Sequence, residues 1–389
     1  MATLAGIAMA LAAIAMLQCL AGWLAVVRFA ARRRRPGRMR PPITVLKPLH
    51  GDEPLLEQGL ETLCRQHYPT YQVVFGVQLA SDPAAGVVRR LQSRFPGCDL
   101  KLVVDPTQHG RNQKVGNLIN MLPLARHEVL VIADSDLHVA PDYLERLAAA
   151  LEPPATGVAT TLYIGLPATR GIPGLLGATQ ITHSFLPGAL LSRRLGRQDC
   201  LGATMALRRD TLRRIGGLEA LVDHLADDNA LGRLVQGVGL TVGLADTVPL
   251  TTVGETSITA LFRHELRWAR TIRALAPLPF AASVLQYPIF WALLAALLTP
   301  LAAWAWVGVC VAWAIRAAAV RGVDRALGRV VGMAVPSPAV WLLPLRELMS
   351  VVVMIASYGG TWVEWRGVTL QADGPARARA AFEKDGRLG

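Results

Sequence analysis

The sequence predicts an α/β protein with a mostly parallel central sheet and with transmembrane helices toward both ends of the chain. Short β-rich runs recur between residues 41 and 255, and helix-like stretches lie between them, an alternation that builds a parallel sheet covered on both faces. Long apolar tracts lie outside this range. Hydrophobic residues make up 52% of the 389 residues and charged ones only 17%, a dilution of charge that indicates membrane segments.

An apolar tract opens the chain and is followed at once by arginines. Residues 4–31 exceed the roughly 20 residues that a helix needs to cross a bilayer. Because cytoplasmic flanks carry the excess of arginine, the four arginines at 32–35 predict that this end is cytoplasmic. We therefore expect a transmembrane anchor over residues 1–31 and a basic cytoplasmic linker over residues 32–40. A signal peptide is disfavoured, since its positive charge would precede the apolar run.

Residues 41–255 are predicted to form the α/β domain. Strands are expected at residues 43–46, 72–77, 100–104, 129–133 and 158–163, and helices at residues 54–65, 83–95, 114–124 and 141–151. Asp82 and Pro83 fit the N-cap and the first turn of the second of these helices.

Three further segments follow this domain. Residues 256–279 predict an interfacial amphipathic helix, and residues 362–389 a polar cytoplasmic tail. Residues 280–361 predict transmembrane or re-entrant helices, with a turn near Pro300 and then a basic loop over residues 316–329. The adjacent Arg346 and Glu347 would have to face protein or water at membrane depth.

Charge and cysteine content exclude several classes of protein. The net charge of +12 suits an anionic bilayer or a phosphorylated substrate, and the sequence carries no nucleic-acid-binding module, so we expect no nucleic acid partner. The five cysteines form no CxxC or CxxH pair, which excludes a disulfide or zinc framework. The sequence contains no GxSxG elbow, P-loop or HExxH motif.

Acids follow two of the predicted strands. Asp134 and Asp136 would point the same way if the extended backbone continued, and carboxylates so close favour a cation or a polar ligand between them. The carboxyl ends of such strands are also where α/β sheets bind ligands. Locally, a metal–phosphate site and a plain acidic turn are both open. Asp82 is likewise open between a sugar or uracil ligand and an N-cap.

Two further polar clusters open helices. Lys114 lies at a helix start, where it could meet a phosphate or simply lie on an exposed basic loop. Asp227 and Asp228 begin another helix. Acids there ordinarily compensate the helix dipole, but two in a row beside His224 suggest a general base.

One face of the predicted amphipathic helix carries His264, Arg267 and Trp268. Residues three and four apart share a helical face, so an arginine clamp for a diphosphate and an aromatic floor for an acceptor could lie together. An ordinary basic interfacial helix is the alternative.

Taken in order, these motifs resemble the inverting, membrane-bound glycosyltransferases with the A-type nucleotide-sugar fold (families 2 and 21), and among them the ceramide glucosyltransferase-like branch. The likeness covers about residues 41–275 and includes Gln66-His-Tyr-Pro69 beside the acids and the Arg-Trp pair named above. Segments 182–187, 198–204 and 262–268 are similar to those of the bacterial hopanoid-biosynthesis-associated glycosyltransferases.

For the donor, the resemblance implies a UDP-sugar held by Asp82 and Asp134 on the uridine and ribose side. Asp136 would be the ligand of a Mg²⁺ or Mn²⁺ ion that bridges the diphosphate, which Lys114 and Arg267 would also contact.

For the acceptor, the resemblance implies a membrane lipid whose hydroxyl is deprotonated by Asp228, with Asp227 beside it. Trp268, His264 and Thr204 would contact this lipid. His264 stands where the family usually has Gln or Arg in its (Q/R)xxRW motif; a histidine could still donate to a phosphate oxygen, but its charge would depend on pH.

The resulting prediction is an inverting, metal-dependent hexosyltransferase that moves a sugar, expected to be N-acetylglucosamine, from a UDP-sugar to a hopanoid. It would be a multi-pass protein of the bacterial inner membrane with a cytoplasmic catalytic domain. The alternatives are a ceramide glucosyltransferase, a processive polysaccharide synthase and a non-catalytic membrane scaffold. The short membrane tract disfavours the synthase, and the intact acids disfavour the scaffold.

Overall fold

The computed structural model describes residues 1–32, 37–331, 337–365 and 368–371. Two compact units divide the chain. The α/β unit comprises Arg32–Ala168 and Leu195–Gly254, and the helical unit comprises Met1–Ala31, Thr169–Arg194 and the described part of Glu255–Gly389. Residues 33–36 of the expected linker and residues 372–389 of the expected tail lie outside the described residues.

Strands and helices alternate through the middle of the chain. The strands are β1 (Ile43–Pro48), β2 (Tyr71–Val77), β3 (Asp99–Val104), β4 (Val129–Ala133), β5 (Leu137–His138), β6 (Thr156–Thr160), β7 (Ile164–Pro167), β8 (Thr204–Arg208), β9 (Thr241–Leu244), β10 (Leu250–Val253), β11 (Trp362–Trp365) and β12 (Val368–Gln371). The α-helices are α1 (Ala2–Ala30), α2 (Leu56–Cys64), α3 (Pro83–Arg94), α4 (Gln113–Met121), α5 (Tyr143–Leu151), α6 (Ile172–Gln180), α7 (Leu186–Arg194), α8 (Arg209–Arg214), α9 (Asp227–Gly237), α10 (Ile258–Leu275), α11 (Pro277–Ala282), α12 (Pro288–Leu298), α13 (Ala303–Val331) and α14 (Leu342–Ser357).

The central sheet of the α/β unit has the strand order β3-β2-β1-β4-β8-β6-β9. β1 pairs in parallel with β2 and β4, and the pairs β2–β3 and β6–β9 are also parallel. β8 runs antiparallel to both β4 and β6. The predicted α/β class with a mostly parallel sheet is confirmed, although β8 was not among the predicted strands.

Both faces of this sheet are covered, which explains why its strands are apolar runs rather than alternating ones. Ile43 and Val45 of β1 belong to one buried cluster, together with side chains of α2, α3 and α5. Leu46, which points to the other face, joins a second cluster with side chains of α4 and α9.

A small second sheet lies after the carboxyl end of β4. Its order is β5-β10-β7, with β10 antiparallel to β5 and parallel to β7. The register pairs Thr251 with Leu137, which brings β10 beside the turn that follows β4.

Helices dominate the other unit. The buried side of α1 carries small residues such as Ala5, Ala8 and Ala12, whereas Leu4 and Leu17 are 56% and 68% exposed. Small residues allow helices to pack closely, so α1 packs against α12 and α13 while its large apolar side chains face outward. This inverted distribution is what a helix needs in lipid and not in water.

Two helices, α1 and α13, are long and apolar enough to cross a membrane among the described residues. A third crossing arises if the bent pair Pro277–Gln286 and Pro288–Leu298, which meet at 68°, is one broken span. The break between α12 and α13 falls at residues 299–302, so the turn predicted near Pro300 is confirmed.

The basic loop predicted over residues 316–329 is wrong, because these residues belong to α13. The Arg316 guanidinium, 6% exposed, donates to the carbonyl oxygen of His183 at 2.9 Å and to the Ser184 hydroxyl at 3.0 Å. Internal acceptors thus satisfy the charge of Arg316, which the predicted loop would have exposed to water.

Candidate active site

The chain turns immediately after β4 and presents two carboxylates. The backbone does not stay extended beyond Asp134, so the two acids have different partners. Oδ1 of Asp134 lies 2.7 Å from Nζ of Lys114. Oδ2 of Asp136 accepts a hydrogen bond from the Thr251 hydroxyl at 2.5 Å. Each acid is therefore held separately, Asp136 through the small second sheet and Asp134 through α4.

Asp136 is the carboxyl of this turn whose charge the protein disfavours. Burial raises its pKa to about 6, and the negative charge of Asp134 adds to the effect, while the hydrogen bond from Thr251 opposes it. A cation that approaches this partly accessible side chain would stabilise its ionised form.

Lys114 joins this turn to the second acidic pair. The Asn112 side chain caps α4 by accepting from the Val115 amide at 3.1 Å, which fixes the first turn that carries Lys114. Nζ of Lys114 lies 2.7 Å from Asp134 and 3.3 Å from Oδ2 of Asp227. Burial lowers the pKa of Lys114, but the surrounding carboxylates outweigh burial and hold it above its usual value. The lysine is therefore a charged bridge rather than part of an exposed basic loop.

Asp228 lies in the first turn of α9, directly after Asp227, and remains partly accessible. Its Oδ1 accepts from the Asn229 amide at 2.7 Å. Burial raises the pKa of Asp228 to about 7, and Asp227 contributes in the same direction, whereas Lys114 lowers it. A carboxyl that titrates near neutrality has the acid–base strength that a general base needs.

A glycine makes room for this carboxylate. A Cβ atom at Gly202 would lie 2.8 Å from Oδ2 of Asp228, closer than carbon and oxygen tolerate. The 198–204 segment therefore approaches α9 with its backbone, which leaves the Asp228 carboxylate in place.

Lys47 also belongs to this site, and sequence reasoning missed it. Lys47 is the penultimate residue of β1, its side chain is fully buried, and Nζ donates to the backbone carbonyl of Asp134. Burial lowers the pKa of Lys47 to about 8, against the opposing effect of Asp136, Asp134 and Glu53. A signal was present, because Lys47 is one of only four lysines in the chain and terminates an apolar strand.

Two other neighbours escaped prediction for different reasons. Thr251 reaches Asp136 only through the pairing of β10 with β5, which no local pattern indicates. The sequence predicts a strand that reaches Tyr163, but β6 ends at Thr160 and the tyrosine follows in an irregular segment. Burial raises the pKa of its phenol, and Asp228, Asp134 and Asp136 add to the shift, so the ring lies among the site's acids.

Asp82 caps a helix, as one of its two interpretations required. Its Oδ1 accepts from the amides of Ala84 at 2.9 Å and Gly51 at 3.0 Å. These bonds tie the loop after β1 to the start of α3. A role in donor binding stays a prediction.

Thr204 lies in the wall behind the site. It is fully buried at the start of β8, paired with Ala133, and its hydroxyl is 2.9 Å from that of Tyr143. The Thr204 side chain therefore has no exposed surface for the predicted contact with the acceptor.

The predicted Arg-Trp face belongs to α10 of the helical unit. Nδ1 of His264 is hydrogen-bonded to Oε1 of Glu255, and its ring packs edge-on against Trp268 with centroids 4.3 Å apart. Burial raises the pKa of Glu255, but the bond with His264 and the charges of His264 and Arg267 outweigh it, so the pKa lies below its usual value. His264 and Arg267 thus act on one half-buried carboxylate, and Trp268 packs on the His264 ring.

The chemistry of the α/β site fits a hard divalent cation that shares its ligands with a substrate. Among the described residues, no three His, Cys, Asp or Glu side chains are placed to hold an ion by themselves. Mg²⁺ and Mn²⁺ in nucleotide sites commonly take one or two carboxylates and complete their shell with phosphate oxygens and water. Asp136, with its disfavoured negative charge, is the residue suited to that ligation.

Comparison with known proteins identifies the family. The model of glycosyl transferase family 21 matches residues 3–377. Ceramide glucosyltransferase 1 from Caenorhabditis elegans is 23% identical over 247 residues, which cover 62% of this chain and 52% of that protein. The ceramide glucosyltransferase of Komagataella phaffii is 29% identical over 113 residues, 28% of this chain and 22% of that one. The chain spans about half, or less, of the length of these relatives.

A solved structure supports the fold. The mannosyltransferase PcManGT from Pyrobaculum calidifontis, solved in complex with GDP-Man and Mn²⁺, superposes with a TM-score of 0.50 at 22% identity, and the match covers 91% of this chain and 99% of that one. The predicted A-type glycosyltransferase fold is confirmed. Because the family model spans nearly the whole chain, the protein belongs to glycosyl transferase family 21, and it is similar in sequence to the ceramide glucosyltransferases.

Proposed function

We propose that this glycosyltransferase moves a sugar from a UDP-sugar to a hydroxyl group of a membrane lipid, with inversion at the anomeric carbon. The observation that carries the proposal is the Asp228 carboxyl, partly accessible and with a pKa raised to about 7, in the same site as the acids that follow β4. One base and one acidic turn are the groups that a single displacement requires.

Asp228 acts as the general base. At neutral pH about half of its carboxyls are ionised when the pKa is near 7. The carboxylate accepts the proton of the lipid hydroxyl as the oxygen attacks the anomeric carbon, and UDP departs from the opposite face. No covalent sugar–enzyme intermediate is needed, so no second nucleophile is assigned.

The donor is bound by Asp82, Asp134, Asp136 and Lys114. Asp136 would hold Mg²⁺ or Mn²⁺, and Asp134 and Asp82 would bind the nucleoside. When bound, the ion would offset the negative charge that develops on the diphosphate. Lys114 is already charged and pinned between Asp134 and Asp227, so it adds a fixed positive charge at the site without reorganisation.

The residues that we assign to the lipid acceptor lie on α10. We assign Arg267 to the diphosphate and Trp268 to the acceptor, with His264 beside them as a polar neighbour. The apolar helices α1 and α13 support a membrane location, and in a bacterial inner membrane the arginines after α1 favour a cytoplasmic catalytic domain.

We further propose N-acetylglucosamine as the sugar and a bacteriohopanepolyol as the lipid, from the likeness of segments 182–187, 198–204 and 262–268 to the hopanoid-associated group. A specific observation favours a second candidate, glucose transfer to ceramide, because the curated relatives are ceramide glucosyltransferases. The two candidates share the base and the metal site and differ only in the sugar and the lipid.

Mass spectrometry of polar lipids from cells with and without the protein tests the proposal. A hopanoid heavier by one N-acetylhexosamine supports the first candidate, and a hexosylceramide replaces it with the second. Cells that express Asp228→Asn should match cells without the protein. An unchanged lipid profile in all three strains would refute lipid glycosylation.

A further inference from the structure

A buried ion pair connects α10 to α14 within the helical unit. Nη1 and Nη2 of Arg346 each lie 2.7 Å from one carboxylate oxygen of Glu265, the two-pronged geometry that gives an arginine–carboxylate pair a defined orientation. The two side chains are only 1% and 7% exposed. Water therefore neither screens the pair nor competes for its hydrogen bonds.

The same guanidinium reaches a third helix. Nη1 donates to the carbonyl oxygen of Leu176 in α6 at 3.3 Å, and Nη2 donates to the Ser350 hydroxyl at 2.9 Å. The Ser350 hydroxyl lies 3.2 Å from Oε1 of Gln180 at the end of α6. Arg346 is thus bound on several sides, and Glu265 is held against a rigid partner.

The neighbouring residue of α14 is fixed as well. Oε1 of Glu347 lies 3.3 Å from Nε of Arg316, and Oε2 accepts from the amides of Ile289 and Phe290 at 2.8 and 3.1 Å. Those amides open α12, where a carboxylate also compensates the helix dipole. α14 is therefore anchored to α12 and α13 on one side while Arg346 binds α6 and α10 on another.

Stability alone is a weak reason for such an arrangement. Burying two charges is costly, and apolar side chains of similar volume often serve a fold equally well. A two-pronged pair does what apolar packing does not: its hydrogen bonds form at only one rotation of α10 about its own axis. With about 100° per residue, Arg267 lies about 200° around the helix from Glu265, and a slip of one position would turn it away from its present direction.

We propose that Glu265 and Arg346 are positioning residues for sugar transfer, which set the rotation of α10 and so direct Arg267 and Trp268 toward the reacting molecules. Neither residue touches substrate. The inference rests on the roles assigned to Arg267 and Trp268 in the proposed function. It adds that those roles depend on a buried pair on another face of the same helix.

A double-mutant cycle in the full-length protein tests it. Glu265→Gln, Arg267→Ala and the combined variant are assayed with UDP-N-acetylglucosamine or UDP-glucose as donor and with a hopanoid polyol or a ceramide in detergent as acceptor. Glu265→Gln should lower kcat/KM by roughly tenfold or more in the wild-type background. In the Arg267→Ala background it should lower it by less than about threefold, because a residue that acts through Arg267 loses most of its effect once Arg267 is absent.

Glu57→Gln is the matched control, since Glu57 pairs with Arg90 on the exposed surface of the α/β unit at 2.7 Å and should leave kcat/KM unchanged. If Glu265→Gln fails to fold, Arg346→Lys takes its place in the cycle, because it keeps the buried positive charge but loses the two-pronged geometry. The inference is overturned if Glu265→Gln, or Arg346→Lys in its place, has wild-type activity. It is also overturned if the variant lowers kcat/KM equally in the wild-type and Arg267→Ala backgrounds. An Arg267→Ala variant with full activity would instead refute the proposed role of Arg267, and the positioning role with it.

Discussion

The acid limb of the pH–rate profile should belong to Asp228. The perturbation is a pair of neutral substitutions at neighbouring positions. Asp228→Asn removes the proposed base and keeps its size. Asp227→Asn keeps the base but removes the negative charge that, after burial, contributes most to raising the Asp228 pKa. The two variants should therefore behave in opposite ways, although the chemical change is the same.

The expected magnitude follows from the pKa of about 7. A carboxyl with that value is about 9% ionised at pH 6 and about 91% ionised at pH 8, so kcat/KM should rise about tenfold over this range. Asp227→Asn should lower the Asp228 pKa and move the midpoint of the limb to lower pH. Asp228→Asn should reduce kcat/KM by about 10²- to 10⁴-fold, the usual contribution of a general base, and should abolish the limb.

Initial rates between about pH 5 and pH 9, at constant ionic strength and saturating metal ion, give kcat/KM, which reports the ionisation of the free enzyme. Tm values measured at both ends of this pH range check that the protein stays folded. The assignment of Asp228 is wrong if the wild-type profile is flat across neutrality. It is equally wrong if Asp228→Asn keeps an acid limb with an unchanged midpoint.

Three further changes test the surroundings of the site and the helical unit. Lys47→Met should destabilise the protein by about 1–3 kcal/mol, because the partly buried carbonyl of Asp134 loses its donor, and added Mn²⁺ should recover part of the lost Tm. Asp136→Asn should weaken Mn²⁺ binding in the presence of UDP by roughly tenfold or more in calorimetric titrations, whereas Glu57→Gln should not. Glu347→Leu should cost about 3–5 kcal/mol, read as a large fall in Tm, because it leaves Arg316 buried without its carboxylate partner.

The strands of the central sheet were predictable because their signal is local. Runs such as residues 43–46 and 129–133 are apolar on both faces, as a covered parallel sheet requires. β8 has no such signal: it is short, antiparallel, and defined by pairing with β4 and β6 from distant parts of the sequence. The small sheet of β5, β10 and β7 escaped for the same reason.

The α6–α7 segment shows a second limit. Residues 169–194 lie in sequence within the expected α/β domain, yet they group with the helical unit, where α6 packs against α10 and α14 and α7 packs against α1. The apolar composition of the segment suits that environment, but a covered sheet accepts similar helices. Only the contacts distinguish the two.

The acids of the site were predictable from the sequence, but the lysines that offset their charge were not. Asp134, Asp136 and Asp228 follow a strand or open a helix, which is where local patterns place functional acids. Lys47 and Lys114 complete the site by crossing between elements, Lys47 from β1 to the turn after β4 and Lys114 from α4 to both acidic pairs. A local reading of Lys114 gave a phosphate ligand or an exposed loop, since neither acid is its neighbour in sequence.

The charges of α14 show why the helical unit could not be derived from hydropathy. Neighbouring residues on a helix point about 100° apart, so Arg346 and Glu347 cannot neutralise each other and each must find a partner elsewhere. Those partners, Glu265 and Arg316, come from α10 and α13, and hydropathy counts each of them as a mark against burial. The four charges cancel in pairs only when the three helices α10, α13 and α14 meet. An apolar tract interrupted by charge is then evidence for helix–helix contact rather than for a loop. In this protein the contact made by Arg346 holds α10 at Glu265, two residues before the proposed Arg-Trp motif.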